Sequence, residues 1–295
     1  MRIAFIGLGR MGWQMAGHLA ANGHELVVCD AVPGLAEQWA ATFTGTAADS
    51  AEAAVPDCAV VCSSLPADPE LRAVWDAATP HLMAGAVWID HSTTSAEIAR
   101  VLAAEAAAVG RHFVDAPVSG GTVGAENGTL AVMAGGSEAA WATAQHVVSA
   151  YASRASLIGP SGAGQLTKMA NQICVVGVGQ ALAEGLAFAE QAGLDSHKVL
   201  DVMLKGSSTS WMMENRSEAM LAGEFDFGFS TTLMRKDLSL VLDEARRMGT
   251  SLPVTALVAQ LLADVTALGG AGWDWCSLIE RQRNELVQTE IPPRT

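Results

Sequence analysis

The chain has 295 residues, 50% of them hydrophobic and 16% charged, with a net charge of −14. That length exceeds one ordinary domain and points to two, and the apolar content can fill a large core, which excludes a disordered chain. The acidic balance excludes nucleic acid and an anionic membrane surface as partners, because both require a basic footprint.

Taken in chain order, residues 2–6 form a short apolar strand that runs into Gly7, Leu8, Gly9, Arg10, Met11 and Gly12. The glycines break the apolar run at once, so a strand entering a turn fits better than a secretory leader. Strands are expected over 2–6, 25–29, 59–63, 86–90, 112–118 and 130–134, with helices over 12–21, 35–43, 69–82 and 96–109. Strands apolar on both faces and separated by helices imply a mostly parallel sheet covered on both sides. Right-handed crossovers then make residues 1–161 a doubly wound α/β Rossmann domain that binds a dinucleotide.

Gly159-Pro160-Ser161-Gly162 marks the change of pattern, and residues 162–295 read as an all-α substrate and oligomerisation domain. Its first helix covers 163–191, about 40 Å at about 1.5 Å per residue. Met169, Ile173 and Val176 recur at helical spacing, on a face expected to point away from Lys168. Gly177, Gly179 and Gly185 weaken that helix, so packing is expected to hold it. Further helices are expected over 195–205, 231–248, 255–267 and 277–286. The least charged stretch, 169–183, carries Asn171, Gln172 and Gln180 and is too short to span a bilayer, so a soluble chain is expected.

The five cysteines (Cys29, Cys58, Cys62, Cys174, Cys276) are scattered and lack zinc-type spacing, which fits a reduced, cytoplasmic setting. The histidines form no HExxH and no close pair, so no metal site is expected. Gly159 to Ala163 just misses the GxSxG elbow of a serine hydrolase.

A GxGxxG is a weak signal alone, but here a strand precedes it, a helix follows, and Asp30 ends the next strand about 20 residues on. Gly7 permits the tight turn, Gly9 lets the backbone approach a pyrophosphate, and Gly12 packs helix on strand. The helix N-terminus would face the phosphates. Asp30 can accept from both ribose hydroxyls, and no arginine in Asp30-Ala31-Val32-Pro33 offers to neutralise a 2′-phosphate. The cofactor is therefore read as NAD rather than NADP.

Lys168 lies in GAGQLTKMANQ, with no carboxylate within four residues on either side. The common alternative, a snorkelling surface lysine, is weakened by that isolation. Asn171, three residues on, shares its helix face. Amides of the Ser119-Gly120-Gly121 turn can cradle a carboxylate, although a plain surface turn has the same composition. Lys236 adjoins Arg235 and Asp237, where a solvated helix face is a fair rival, and Trp211 suits a substrate pocket or a core equally.

With GLGRMG, DAPVSGG (115–121), GAGQLTKMANQ (162–172) and RKDL (235–238) in this order, the chain resembles the β-hydroxyacid dehydrogenase family over essentially its whole length. That family includes 3-hydroxyisobutyrate dehydrogenase and tartronate semialdehyde reductase; 6-phosphogluconate dehydrogenase is a longer relative, disfavoured here by length and by missing basic groups. The resemblance implies a Rossmann domain joined by a long helix to an all-α domain, with the active site between them and a homodimer or homotetramer as the assembly. It implies that Lys168 is the catalytic lysine and Asn171 its substrate-orienting partner. Ser119, Gly120 and Gly121 would bind the substrate carboxylate. Leu65, Pro66 and Thr93 would contact the cofactor, and Lys236 would close on it with Asp237 beside it. The expected reaction is reversible hydride transfer to or from a small carboxylate-bearing 3-hydroxy acid, with Lys168 as general acid and base. Alternatives are an imine or semialdehyde reductase of the same fold, or a non-catalytic dinucleotide-binding scaffold. Val118, Thr122, Trp211 and Met212 are the candidates for choosing the substrate.

Overall fold

The computed structural model describes residues 1–288 and divides the chain into two compact units, Met1–Lys168 and Met169–Thr295. The first runs β1 (Arg2–Ile6), α1 (Gly12–Ala21), β2 (Glu25–Cys29), α2 (Leu35–Thr42), β3 (Thr46–Ala47), α3 (Ala51–Ala54), β4 (Val60–Ser63), α4 (Asp68–Ala78) and β5 (Val87–Asp90). It continues with α5 (Ala96–Ala108), β6 (His112–Asp115), β7 (Val118–Ser119), α6 (Gly121–Glu126), β8 (Leu130–Gly135), α7 (Glu138–Val148) and β9 (Ala152–Gly159).

The sheet order is β3-β2-β1-β4-β5-β6-β8-β7, with β9 against β8. All pairs from β3 to β6 are parallel, while β8 meets β6 and β7 antiparallel. The parallel part is the doubly wound order, which reverses between β1 and β4, the place where such sheets open a ligand crevice at their carboxyl ends.

Alternation along each strand fills both faces. Ile3 and Phe5 join Val28, Cys62 and Ile89 in one core, whereas Ala4 and Ile6 join Val27, Val61 and Trp88 in the other. A large apolar side chain fully buried in this way stabilises by about 1.5–3 kcal/mol.

Some elements depart from expectation. The strand expected over 112–118 stops at Asp115 and resumes as β7, because Pro117 has no N–H to continue a ladder. Strands β3 and β9 and helices α3, α6 and α7 were not anticipated. β9 is half exposed along most of its length and, among the described residues, pairs with β8 alone, so its sequence shows no continuous apolar run.

Helix α8 (Ala163–Gln191) begins in the first unit, and the division at residue 168 falls inside it. Then come α9 (Ser196–Met203), α10 (Trp211–Ala222), α11 (Thr231–Met248), α12 (Pro253–Ala267) and α13 (Leu278–Gln288). Helix α10 was not anticipated either; Ser210 caps it by accepting from the N–H of Met213. Val176, Leu182, Leu186, Met220, Leu238, Leu262, Trp275 and Ile279 build this unit's core. The glycine at 179 is required there, since a Cβ would lie 2.3 Å from ring atoms of Trp275.

Two expectations about α8 are corrected. Its buried stripe runs Gln165, Lys168, Gln172, Val176, Gly179 and Ala183, so Lys168 shares the buried face with Val176, and Ile173 is only half-buried. The helix is also long enough and apolar enough to cross a membrane by those measures, with 29 residues and a mean hydropathy of 1.4 in its most apolar window; half of that window is buried inside the protein.

Candidate active site

The loops that follow β1, β2, β4 and β5 stand at the carboxyl ends of adjacent parallel strands, and they carry Gly7–Gly12, Asp30, Leu65–Pro66 and Thr93. Gly7 has φ +91°, and a Cβ on it would lie 2.3 Å from the Ser64 carbonyl oxygen. A Cβ on Gly12 would lie 1.9 Å from the Gly7 carbonyl oxygen. Gly9 differs: a Cβ there meets nothing within 4 Å, so no packing inside the protein requires a glycine. Open space over an exposed backbone, before a helix whose N-terminus lacks a side-chain cap, fits the close approach of a pyrophosphate. Leu8 is buried in the core and Met11 packs against it, while Arg10 is exposed.

Asp30 is tied down on both oxygens. Oδ2 accepts from the N–H of Leu8 at 2.6 Å and Oδ1 from the N–H of Val32 at 2.7 Å. The carboxylate therefore holds the glycine loop in shape. A carboxylate has about four lone-pair sites, and these two bonds use one on each oxygen.

The loop after β5 is organised by Asp90, fully buried, whose Oδ1 accepts from the hydroxyls of Ser63 and Ser92, each at 2.6 Å. Burial pushes Asp90 up to about 6. The Ser92 hydroxyl in turn accepts from the N–H of Leu65 at 2.8 Å, which joins the β4 and β5 loops. His91 donates from Nδ1 to the Ala116 carbonyl at 2.7 Å, so its Nε2 must accept from Tyr151 Oη at 2.8 Å. Burial pushes His91 down to about 4, leaving a neutral ring.

The start of α8 is fastened to the same strand ends. Asp115 accepts from the N–H of Gly162 at 2.7 Å and of Gln165 at 3.0 Å. Burial pushes Asp115 up to about 7, against the opposing pull of these bonds. The Gln165 amide bonds the loop backbone at Ser92 and Thr94. These contacts are why the helix's first residues belong to the first unit.

Lys168 is 9% exposed, far below what a snorkelling lysine shows. Asn171 stands three residues on and donates to Gln172 Oε1 at 3.0 Å. Gln172 donates to Asp237 Oδ2 at 2.7 Å, and Lys236 Nζ lies 3.0 Å from Asp237 Oδ1. Asp237 is thus buried and held by Gln172 on one oxygen and by Lys236 on the other. Gln172 was overlooked, although its place four residues after Lys168 on the same face was visible.

Ser119 is half-buried in β7, and the exposed Gly120 and Gly121 have φ +127° and +63° as they lead into α6; Thr122 is half-buried and Val118 likewise. Trp211 is half exposed at the start of α10, with the Arg216 guanidinium 5.0 Å from its ring centroid. Met212 is a core residue of the second unit.

Residues 2–159 match the family described as the NAD binding domain of 6-phosphogluconate dehydrogenase. Residues 162–281 match the one described as the NAD-binding of NADP-dependent 3-hydroxyisobutyrate dehydrogenase. The 3-hydroxyisobutyrate dehydrogenase of Pseudomonas aeruginosa is 35% identical over 88% of this chain and 91% of its own. The chain belongs to the β-hydroxyacid dehydrogenase family.

Two further proteins are similar over nearly the whole chain. An uncharacterised oxidoreductase of Shewanella frigidimarina is 50% identical over 95% of this chain and 97% of its own. The 3-hydroxyisobutyrate dehydrogenase of Mycobacterium tuberculosis, solved with L-serine, superposes with a TM-score of 0.87 at 32% identity, covering 96% of this chain and 99% of that one. As a β-hydroxyacid dehydrogenase the protein is an NAD(P)-dependent oxidoreductase with a Rossmann-like sheet followed by a helical domain.

Proposed function

We propose that the protein is a 3-hydroxy acid dehydrogenase that transfers hydride between NAD and a small 3-hydroxy acid resembling 3-hydroxyisobutyrate, with Lys168 as general acid and base. The burial of Lys168 on a helix anchored to the cofactor-side strand ends is the observation that carries this reading. Bound NAD supplies the hydride acceptor. The amides of Ser119, Gly120 and Gly121 hold the substrate carboxylate, and Asn171 orients the hydroxyl toward Lys168.

A neutral Lys168 takes the hydroxyl proton as the C–H bond breaks, and the ammonium returns it when the carbonyl is reduced. Help of this kind is worth about 10²–10⁴-fold. The oxidative direction needs the neutral amine and the reductive direction the ammonium. Asp30 supports NAD over NADP, because a carboxylate repels a 2′-phosphate. Relatives named for 3-hydroxyisobutyrate, and one solved with L-serine, support a small 3-hydroxy acid as substrate. Likeness to the family and the apolar helical half favour a homodimer or homotetramer, and cysteines that form no disulfide suit the cytoplasm.

Lys168→Ala is expected to lower kcat by about 10²-fold or more while NAD+ still binds, as read by a steady-state assay and a cofactor titration. Near-normal turnover would refute the role. A screen of small 3-hydroxy acids with NAD+ and NADP+ identifies the substrate.

A further inference from the structure

We propose that Gln165 is a positioning residue, which locks the start of α8 to the cofactor-side loop after β5 and so sets where the Lys168 amine points. This deepens, and rests on, the reading of Lys168 as the acid–base group. Gln165 is 0% exposed and bonded through its amide oxygen, its amide nitrogen and its backbone N–H. Its Oε1 accepts from the N–H of Thr94 at 3.1 Å, and its Nε2 donates to the Ser92 carbonyl at 2.8 Å. Its own N–H donates to Asp115 Oδ2 at 3.0 Å.

Ser92 and Thr94 flank Thr93, and the Ser92 hydroxyl also holds the N–H of Leu65. One buried amide thus ties the lysine-bearing helix directly to the loop after β5 and, through Ser92, to the loop after β4, two of the loops that the sequence assigns to the cofactor. The helix cannot shift to compensate. A Cβ on Gly164 would lie 2.5 Å from the carbonyl oxygens of both Asp115 and Met133, so the backbone already rests against the sheet. Lys168 follows Gln165 by three residues, less than the 3.6 residues of one turn, and inherits its rotation and height directly.

An amide that only stabilised the fold would be indifferent to what stands one turn on. A positioning amide is not, because a misplacement of about 1 Å at a reacting group costs up to about 100-fold in rate. Gln165→Met conserves volume and removes both side-chain bonds. Single-turnover hydride transfer at saturating NAD+ and 3-hydroxy acid is expected to slow by up to about 100-fold, with NAD+ affinity retained. In a Lys168→Ala background the same substitution is expected to leave the already slow rate unchanged, because residues acting through one group are not additive. Equal losses in both backgrounds, or no loss beside an intact Lys168, would overturn the proposal.

Should Gln165→Met fail to fold, Gln165→Glu gives a second reading. The introduced carboxyl can donate to Ser92 only when protonated, so its rate relative to wild type should climb as pH falls; a flat ratio sinks the idea. Near-normal turnover of Lys168→Ala by itself would instead bring down the acid–base reading, and the two failures are told apart by that single variant.

Discussion

His91 shows how one buried side chain couples the site loop to solution pH. Both ring nitrogens are occupied, by the Ala116 carbonyl and the Tyr151 hydroxyl, and burial lowers the ring to about 4. An unfolded histidine titrates near 6.5. Between about 4 and 6.5 the unfolded chain therefore binds more protons, and the contribution of His91, full above 6.5, is lost as pH falls through that window. Asp90 and Asp115 act with the opposite sign. Raised to about 6 and about 7, they contribute most below the ordinary carboxylate range and lose that contribution as pH rises through those values. Comparison with His91→Gln isolates the histidine. The stability advantage of wild type over this variant should shrink by about 2 kcal/mol between pH 7 and pH 5, measured by urea unfolding. An advantage that grows on acidification would contradict the assignment. At this scale Lys168 and Asn171 stand out in the sequence because an isolated lysine beside an amide is conspicuous in an uncharged stretch. His91, Gln165 and Asp115 do not, because their partners lie far off in sequence: His91 meets Ala116 and Tyr151, and Gln165 meets Ser92 and Asp115.

The strand–loop–helix of β1 and α1 separates two uses of glycine that look alike in a motif. Gly12→Ala drives a Cβ into the Gly7 carbonyl, so it should lower Tm and weaken cofactor binding together. Gly9→Ala places its methyl in open space, so Tm should stay near wild type while NAD+ affinity falls. Thermal melting and a NAD+ titration on each variant check both halves, and a Gly9→Ala that binds NAD+ normally would remove the pyrophosphate from this loop. Elements with continuous apolar runs and clear punctuation were legible, among them β1, β2, α1, α8 and α11. Short or edge elements were not. β3 has two residues, and β9 is half exposed, so neither needs the apolar pattern that a buried central strand imposes.

For the molecule as a whole, cofactor and stability are linked by mass action. NAD+ at about 100 times its Kd should stabilise the native chain by about 2.7 kcal/mol, seen as a rise in Tm. NADP+ at the same concentration should give a smaller rise, and Lys168→Ala should keep the NAD+ response. A larger rise with NADP+ would show that Asp30 does not exclude the 2′-phosphate. What the order of residues determined alone is the layered α/β half, the all-helical half, the dinucleotide loop and the helix that bears Lys168. Each of these follows from local periodicity, glycine placement and isolated charge, which the chain carries without reference to its fold. Only the tertiary structure decided that Lys168 is buried, that Asp237 is enclosed by Gln172 and Lys236, and that Gln165 binds the loop around Thr93. Burial and side-chain pairing depend on which distant segments meet, and that is settled when the strands align and the helices pack.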